Sequence, residues 1–293
     1  MRFAFIQTHA RIFHIVTMCR VLEVSKAGYY AWRARPLSDR EQANGVVTAQ
    51  IRTIHTRVNA RYGSPRMHTE LTAQGIPCGK HRVARLMRKA GIRAKSTPKF
   101  RVTTRRNAAQ PAAPNVLQRR FTLATNPALR ARDRVWAADI TYIPTREGWL
   151  YLAVILDLAS RRVVGWAVRT QLDHTLALTA LRMALAHRQA RAGLHHSDRG
   201  VQYTSAAYQQ LLASADFTPS MSRIGNCWDN AVVESFFATL TKELLVDGLF
   251  ATRAEASREV FEFIEIWYNR QRRHSTLGYR TPAEYEATLA QIS

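Results

Sequence analysis

Residues 135–169 read VWAADITYIPTREGWLYLAVILDLASRRVVGWAVR, and this stretch decides the fold. VWAADITYI alternates toward a strand, WLYLAVILDLA is a continuous apolar run, and RRVVGWAVRT reads as a third strand. The links between them, PTREG and the Ala159–Ser160 turn, are too short for a crossover. The three strands therefore form an antiparallel meander. Downstream, DHTLALTALRMALAHRQ reads as a helix, GLHHS as a short strand, SAAYQQLLASA as a helix and FTPSM as a fifth strand. DNAVVESFFATLTKELL is a strong helix, and another is expected over 253–270 behind a Thr252/Glu255 capping box. The order is βββαβαβα, an α/β fold with a mixed five-stranded sheet and flanking helices. Thr281, Pro282 and Glu284 open a last helix near the C-terminus.

Upstream of the meander the charge changes character. The chain has 293 residues, with 43 Lys+Arg against 21 Asp+Glu, a formal net charge of +22. Residues 1–132 hold 26 basic and 4 acidic side chains, whereas residues 133–293 hold 17 of each. No acid occurs between Glu70 and Asp133. Arg outnumbers Lys 37 to 6, and Arg is the better ligand for phosphates and base edges. The pattern is that of a polyanion-binding first half, for which double-stranded DNA is the natural partner, joined to a neutral globular half. Apolar residues at 46% exclude wholesale disorder. No apolar run approaches the roughly 20 residues of a membrane helix. Cys19, Cys78 and Cys227 form neither a disulfide framework nor a zinc knuckle, and the N-terminus does not read as a signal peptide. A reducing bacterial cytoplasm, with association to the nucleoid when DNA is bound, is the expected location.

Within the basic half, residues 1–60 read as short helices with an aromatic knot, GYYAW, at 28–32. Residues 61–95 read as a helix-turn-helix: SPRMHTELTAQ, the turn GIPC, then GKHRVARLMRKA. In the second helix Val83, Leu86, Met87 and Ala90 share one face, leaving Arg82, Arg85 and Lys89 to meet DNA. Residues 96–126 read as a basic linker whose Arg101, Arg105 and Arg106 reach phosphates. Residues 127–290 form the second domain.

Three carboxylates stand out in that domain. Asp139 interrupts the centre of the first strand, where an acid is costly unless it is a ligand or paired. Asp198 follows the fourth strand directly, at the kind of strand end where open α/β sheets build sites. Glu234 is on the strong helix, which can cross the edge of strands one and four, neighbours in this topology. Converged, the three suit a hard, oxygen-liganded cation, Mg2+ or Mn2+. Spacing alone decides nothing: Glu234 follows Asp198 by 36 positions, and Glu265 follows Asp229 by the same number. His196 reads as a supporting residue beside Asp198. Asn230 either orients Glu234 or caps its helix. In the otherwise neutral half, Lys242, Arg272 and Arg273 are candidate DNA contacts.

DITYI, HHSDRGVQYTS, SMSRIGNCWDNAVVESFFATL and YNRQRRHSTLGYRTPAEYE together resemble the transposases of two-frame, frameshifted insertion sequences. Those proteins carry a catalytic core like that of retroviral integrases. The N-terminal motifs ARYGSPRMHTEL, HRVARLMRKAGIRA and VLEVSKAGYYAWRARP match the same family, in order. The resemblance implies an RNase H-like core in which Asp139, Asp198 and Glu234 are the metal ligands of a DDE site cutting and joining DNA strands. It also implies a downstream-frame product, acting as a homo-oligomer on DNA, with an upstream-frame subunit or fusion partner. The alternative is a decayed member that only binds DNA ends. One departure stands out: the family places a Lys or Arg seven residues after the catalytic Glu, where this chain has Thr241 and then Lys242.

Overall fold

The structure, a computed structural model, describes residues 1–95, 113–223, 226–245 and 248–291. The chain divides into two compact units. One comprises Met1–Asn59 and Met67–Arg93, the other Ala60–Arg66 and Ala94–Ser293.

The first unit is all-helical. Three short helices, α1 (Arg2–His9), α2 (Ile15–Val21) and α3 (Lys26–Ala34), close over Ile6, Met18, Cys19 and Tyr29. Tyr29 is the buried centre of the aromatic knot, with Phe3 and Trp32 packed near it. The next helix is not short. α4 (Asp39–Arg57) runs for 19 residues from a capping box between Ser38 and Glu41, which satisfies two orphan amides at its start. The helix-turn-helix follows as α5 (Ser64–Ala73) and α6 (Lys80–Lys89), although Ser64–Arg66 at the start of α5 belong to the other unit. Val83, Leu86 and Met87 are buried, as their spacing requires.

The second unit is built on one sheet. Strands β1 (Val135–Thr145), β2 (Gly148–Asp157), β3 (Val163–Arg169), β4 (Gly193–Ser197) and β5 (Phe217–Met221) lie in the order β3-β2-β1-β4-β5. The first three are antiparallel, and β4 and β5 run parallel to β1. This is the mixed sheet of the RNase H-like fold. One face is covered by α7 (His174–Arg188), α8 (Val201–Thr204) and α9 (Ala206–Ser214). Gly165 lets α7 lie directly on β3: a Cβ there would sit 2.3 Å from the Ala180 carbonyl oxygen. Trp136 stacks on Phe217 at 4.6 Å and is fully buried, a burial of the size that stabilises a domain by about 2–3 kcal/mol.

α10 (Ala231–Glu243) packs on β1. The helix expected over 253–270 begins as α11 (Arg253–Phe261) and continues as a π-helical segment, Glu262–Tyr268, with Trp267 and Tyr268 buried. The chain ends in α12 (Pro282–Ala290). Part of the expected linker is not a tether. Leu117 is buried, and the Val116 and Leu117 amides donate to Ser220 Oγ on β5. Nor does Ala60–Arg66 belong with the helix-turn-helix. Tyr62 Oη donates to the Gln271 carbonyl at 3.1 Å and accepts from the Arg273 amide at 3.0 Å, and Arg61 lies over Trp267.

Candidate active site

Parallel pairing places the first two carboxylates side by side. β1 and β4 align Trp136 with His195 and Ala137 with His196. Continuing that register by two residues sets Asp139 beside Asp198, just past the end of β4. Neighbouring strands are about 4.8 Å apart. Both carboxylates are half-buried, and each is oriented by its own backbone. Asp139 Oδ1 accepts from the Ile140 amide and Asp198 Oδ1 from the Gly200 amide, both at 2.8 Å. The charges converge on the same phenols. Burial foremost, and then these two carboxylates, raise the hydroxyl pKa of Tyr142 and raise that of Tyr203 far more.

Glu234 enters from α10, and Asn230 fixes where that helix starts. Asn230 is buried and donates Nδ2 to the carbonyl of Ala138 at 3.1 Å, next to Asp139. It neither caps the helix nor holds Glu234, the two roles expected of it. It ties β1 to α10 one turn before Glu234. Partial burial raises the Glu234 pKa above the usual carboxylate value. Its side chain still points largely to solvent, and among the described residues no three His, Cys, Asp or Glu side chains are gathered tightly enough to hold a metal. The donors that do adjoin, Asp139 and Asp198, are hard oxygens suited to Mg2+ or Mn2+.

His196 is structural. It is fully buried, bonded to Ser220 Oγ at 2.9 Å and Ser222 Oγ at 3.2 Å, and burial pushes its pKa down to about 4. His195 bonds to Tyr208 Oη at 3.0 Å and is driven to about 3 by burial. Both are therefore neutral imidazoles at neutral pH. The decoy pair is also occupied. Asp229 is bound by Arg223, Arg119 and Asn115, and hydrogen bonds from the two arginines hold its carboxyl well below the usual range. Glu265 accepts from Trp166 Nε1 at 2.9 Å.

The expected DNA contacts divide. Arg85 and Lys89 are exposed on α6 and border an open basin with Arg35 and Arg40. Arg82 is half-buried and donates Nε to Asn44 on α4 at 2.9 Å. Lys242 is exposed at the end of α10. Arg272 is a correction: it is 5% exposed and gripped by Glu243 at 2.9 Å, so its guanidinium is spent inside the protein. Sequence reasoning saw a basic cluster but not the acid 29 residues earlier that buries part of it. Arg273 is half-buried and donates to the Tyr279 carbonyl. Arg101, Arg105 and Arg106 lie outside the described residues. Sequence reasoning also missed Tyr203, whose buried hydroxyl has no hydrogen-bond partner among the described residues although it feels both Asp139 and Asp198. It sits on the one-turn helix that follows Asp198.

Comparison with known proteins gives this geometry its context. An integrase core domain family matches residues 130–227, a second integrase core domain family matches 215–282, and an HTH-like domain matches 41–100. The transposase InsF for insertion sequence IS3A of Escherichia coli (strain K12) is 42% identical over 289 residues, covering 98% of both chains. An insertion element IS600 uncharacterized 31 kDa protein of Shigella sonnei is 43% identical over 277 residues, 94% of this chain and 100% of that one. The integrase of a simian T-cell lymphotropic virus intasome aligns with 80% of this chain and 73% of its own, at 14% identity and a TM-score of 0.45. With relatives this close over nearly its whole length, the chain belongs to the insertion-sequence transposases that carry an integrase core domain.

Proposed function

We propose that the protein cuts and joins DNA strands at the ends of its insertion sequence, with Asp139, Asp198 and Glu234 as the catalytic carboxylates. The observation that supports this reading is the parallel pairing of β1, which carries Asp139, with β4, which Asp198 directly follows, and the bond from Asn230, on the helix of Glu234, to the Ala138 carbonyl. The three would hold Mg2+ or Mn2+, which when bound polarises phosphodiester oxygens and activates the attacking oxygen. The carboxylates would supply fixed negative charge to hold the metal and take no part in proton transfer. Ile140 and Gly200 amides hold two of them in orientation. The chemistry is two phosphoryl transfers. Water attacks the phosphodiester at the element end and frees a 3′-hydroxyl, and that hydroxyl attacks a second phosphodiester and displaces its 3′-oxygen. No bond to the enzyme forms.

Arg85 and Lys89 hold double-stranded DNA from the helix-turn-helix, with Arg82, Arg101, Arg105, Arg106, Lys242 and Arg273 as further contacts. Lys242 stands in for the missing base at Thr241 by extending its long stem. Homo-oligomers on DNA, an upstream-frame subunit or fusion, and a cytoplasmic, nucleoid-bound location complete the proposal. The HTH-like and integrase core matches support the DNA partner, and no helix of the described residues is long and apolar enough to cross a membrane. The test is a strand-joining assay on the full chain with duplexes carrying the element's terminal sequence. Joined product is expected only with Mg2+ or Mn2+ and is expected to vanish with a chelator. End binding without joined product at any metal concentration would favour the decayed alternative.

A further inference from the structure

At the outer end of β1 and β2, Tyr142 and Trp149 stand exposed beside Tyr151, which packs against the core. The register pairs Tyr142 with Tyr151, and Tyr151 with Arg169 on β3, so these three residues form a row across one face of the sheet. Trp149, two positions from Tyr151 on the same strand, lies on that face as well. Tyr142 meets Tyr151 edge-on at 5.3 Å and Trp149 edge-on at 6.1 Å. Cross-strand packing explains the tyrosine pair. It does not explain why Trp149 is 51% exposed and Tyr142 41% exposed. Single exposed apolar residues need no explanation, but a contiguous group of rings does.

The platform is rigid. Thr145 Oγ1 donates to the Gly148 carbonyl at 2.6 Å, closing a turn in which Gly148 adopts a φ of 102° open to glycine. The Arg146 amide donates to the Phe250 carbonyl, the Arg253 amide to Glu147, and Arg253 Nε to the Trp149 carbonyl. Rigid exposed rings flanked by cations are how proteins hold unpaired nucleotides: bases stack on the rings and phosphates meet the cations. Arg169, paired with Asp173 at 3.5 Å, closes the row on one side, and Arg146 is exposed at the turn on the other. Tyr142 is three residues along β1 from Asp139, about 10 Å at strand rise and on the opposite face, where β4, ending at Ser197, no longer covers the edge of β1. That is within about two nucleotides of a phosphate held at the carboxylates.

We infer that Trp149, Tyr142 and Tyr151 form a stacking subsite for an unpaired DNA base beside the scissile phosphate, with Arg169 at its edge for the adjoining phosphate. The inference rests on the proposed function for the position of the DNA, and its test is a binding measurement that needs no chemistry. The full-length chain is titrated, in chelator, into duplexes bearing 2-aminopurine near the terminus, either paired or in an unpaired flap. Trp149→Ala, Trp149→Phe and Tyr142→Leu are compared with wild type, with circular dichroism as the check of folding. Wild type is expected to quench the unpaired probe and to prefer the flapped duplex. Trp149→Ala is expected to lose that preference by about tenfold, and Trp149→Phe to recover most of it. Binding to the fully paired duplex is expected to be unchanged in every variant. Equal quenching and equal flap preference in wild type, Trp149→Ala and Tyr142→Leu would overturn the inference. So would a Trp149-dependent self-association that alone accounts for the changes, because the face would then be an interface between copies. Failure of joining with the quenching intact would count against the function and leave the subsite standing.

Discussion

Arginine does different work in the two halves of this chain. In the first unit it is left at the surface: Arg85, Arg88, Lys89 and Arg40 are exposed on helices whose apolar faces are buried elsewhere. Across residues 133–293, where acids equal bases, arginine is consumed. Arg188 is bonded to Asp133 at 2.7 Å and Glu286 at 2.8 Å, Arg162 to Glu286, Arg272 to Glu243, and Arg223 to Asp229. A buried charge must be paired, so a neutral globular half has few cations to offer a polyanion. The contrast teaches that net charge per half of the sequence, +22 for residues 1–132 and zero for residues 133–293, says more about where DNA is held than the count of arginines in a motif. It applies equally to acids. Asp157 at the far end of the sheet is buried and satisfied by Ser160 and the Asp133 amide, whereas Asp139 and Asp198 sit at the open end.

The largest effect that sharpens this comparison is chemical. Asp139→Asn, Asp198→Asn and Glu234→Gln are each expected to lower joining by more than about a hundredfold while DNA-end binding persists. Asp229→Asn and Glu265→Gln, at the same spacing, are expected to act through folding instead, with activity lost only in proportion to folded protein. Near wild-type joining by any of the first three, with Mg2+, removes that residue from the site. Next comes the buried pair. Arg272→Ala leaves Glu243 buried without its partner and is expected to cost about 3–5 kcal/mol in denaturant unfolding. If Arg272 instead served DNA, stability would be unchanged and binding weakened.

A smaller effect is pH-dependent. Burial lowers the pKa of His195 to about 3, His196 to about 4 and His274 to about 2, from 6.5 when unfolded. Below pH 6.5 the unfolded chain binds protons that the folded chain refuses, so stability present above 6.5 is lost as pH falls toward 4. Asp157, raised by burial to about 6, acts in the opposite sense and offsets one histidine. Each histidine is expected to contribute a slope of up to about 1.4 kcal/mol per pH unit. A melting temperature that stays level between pH 7 and 5 would contradict the burial of these rings.

The sheet was legible because its strands announce themselves. The alternating and continuous apolar patterns mark β1–β3 as a meander, and the expected topology, with β1 beside β4 as observed, lets Asp139 and Asp198 converge. What was not legible depends on distant partners. Nothing local in ARYGSPR says that Tyr62 will clasp the backbone of Gln271 and Arg273, about two hundred residues on. Nothing in NRQRRH says that Arg272 is already taken by Glu243. Asn230 illustrates the same limit at short range. Its position before the helix suggested a cap, yet the packing of α10 on β1 gives its amide a stronger claim in the Ala138 carbonyl.

The most direct test of the division of labour is one side-by-side measurement on full-length protein: fraction of end duplex bound across a salt series, and fraction joined, for wild type, Asp198→Asn and the double variant Arg85→Ala/Lys89→Ala. Asp198→Asn is expected to bind with the wild-type salt slope and to join nothing. The double variant is expected to bind more weakly at every salt, with a log–log slope shallower by about 1.8 for two lost phosphate contacts. Joining by the DNA it still holds is expected to continue. The contrary result is a double variant with unchanged affinity and slope beside an Asp198→Asn protein that no longer binds, which would place DNA holding in the acidic site and contradict the account.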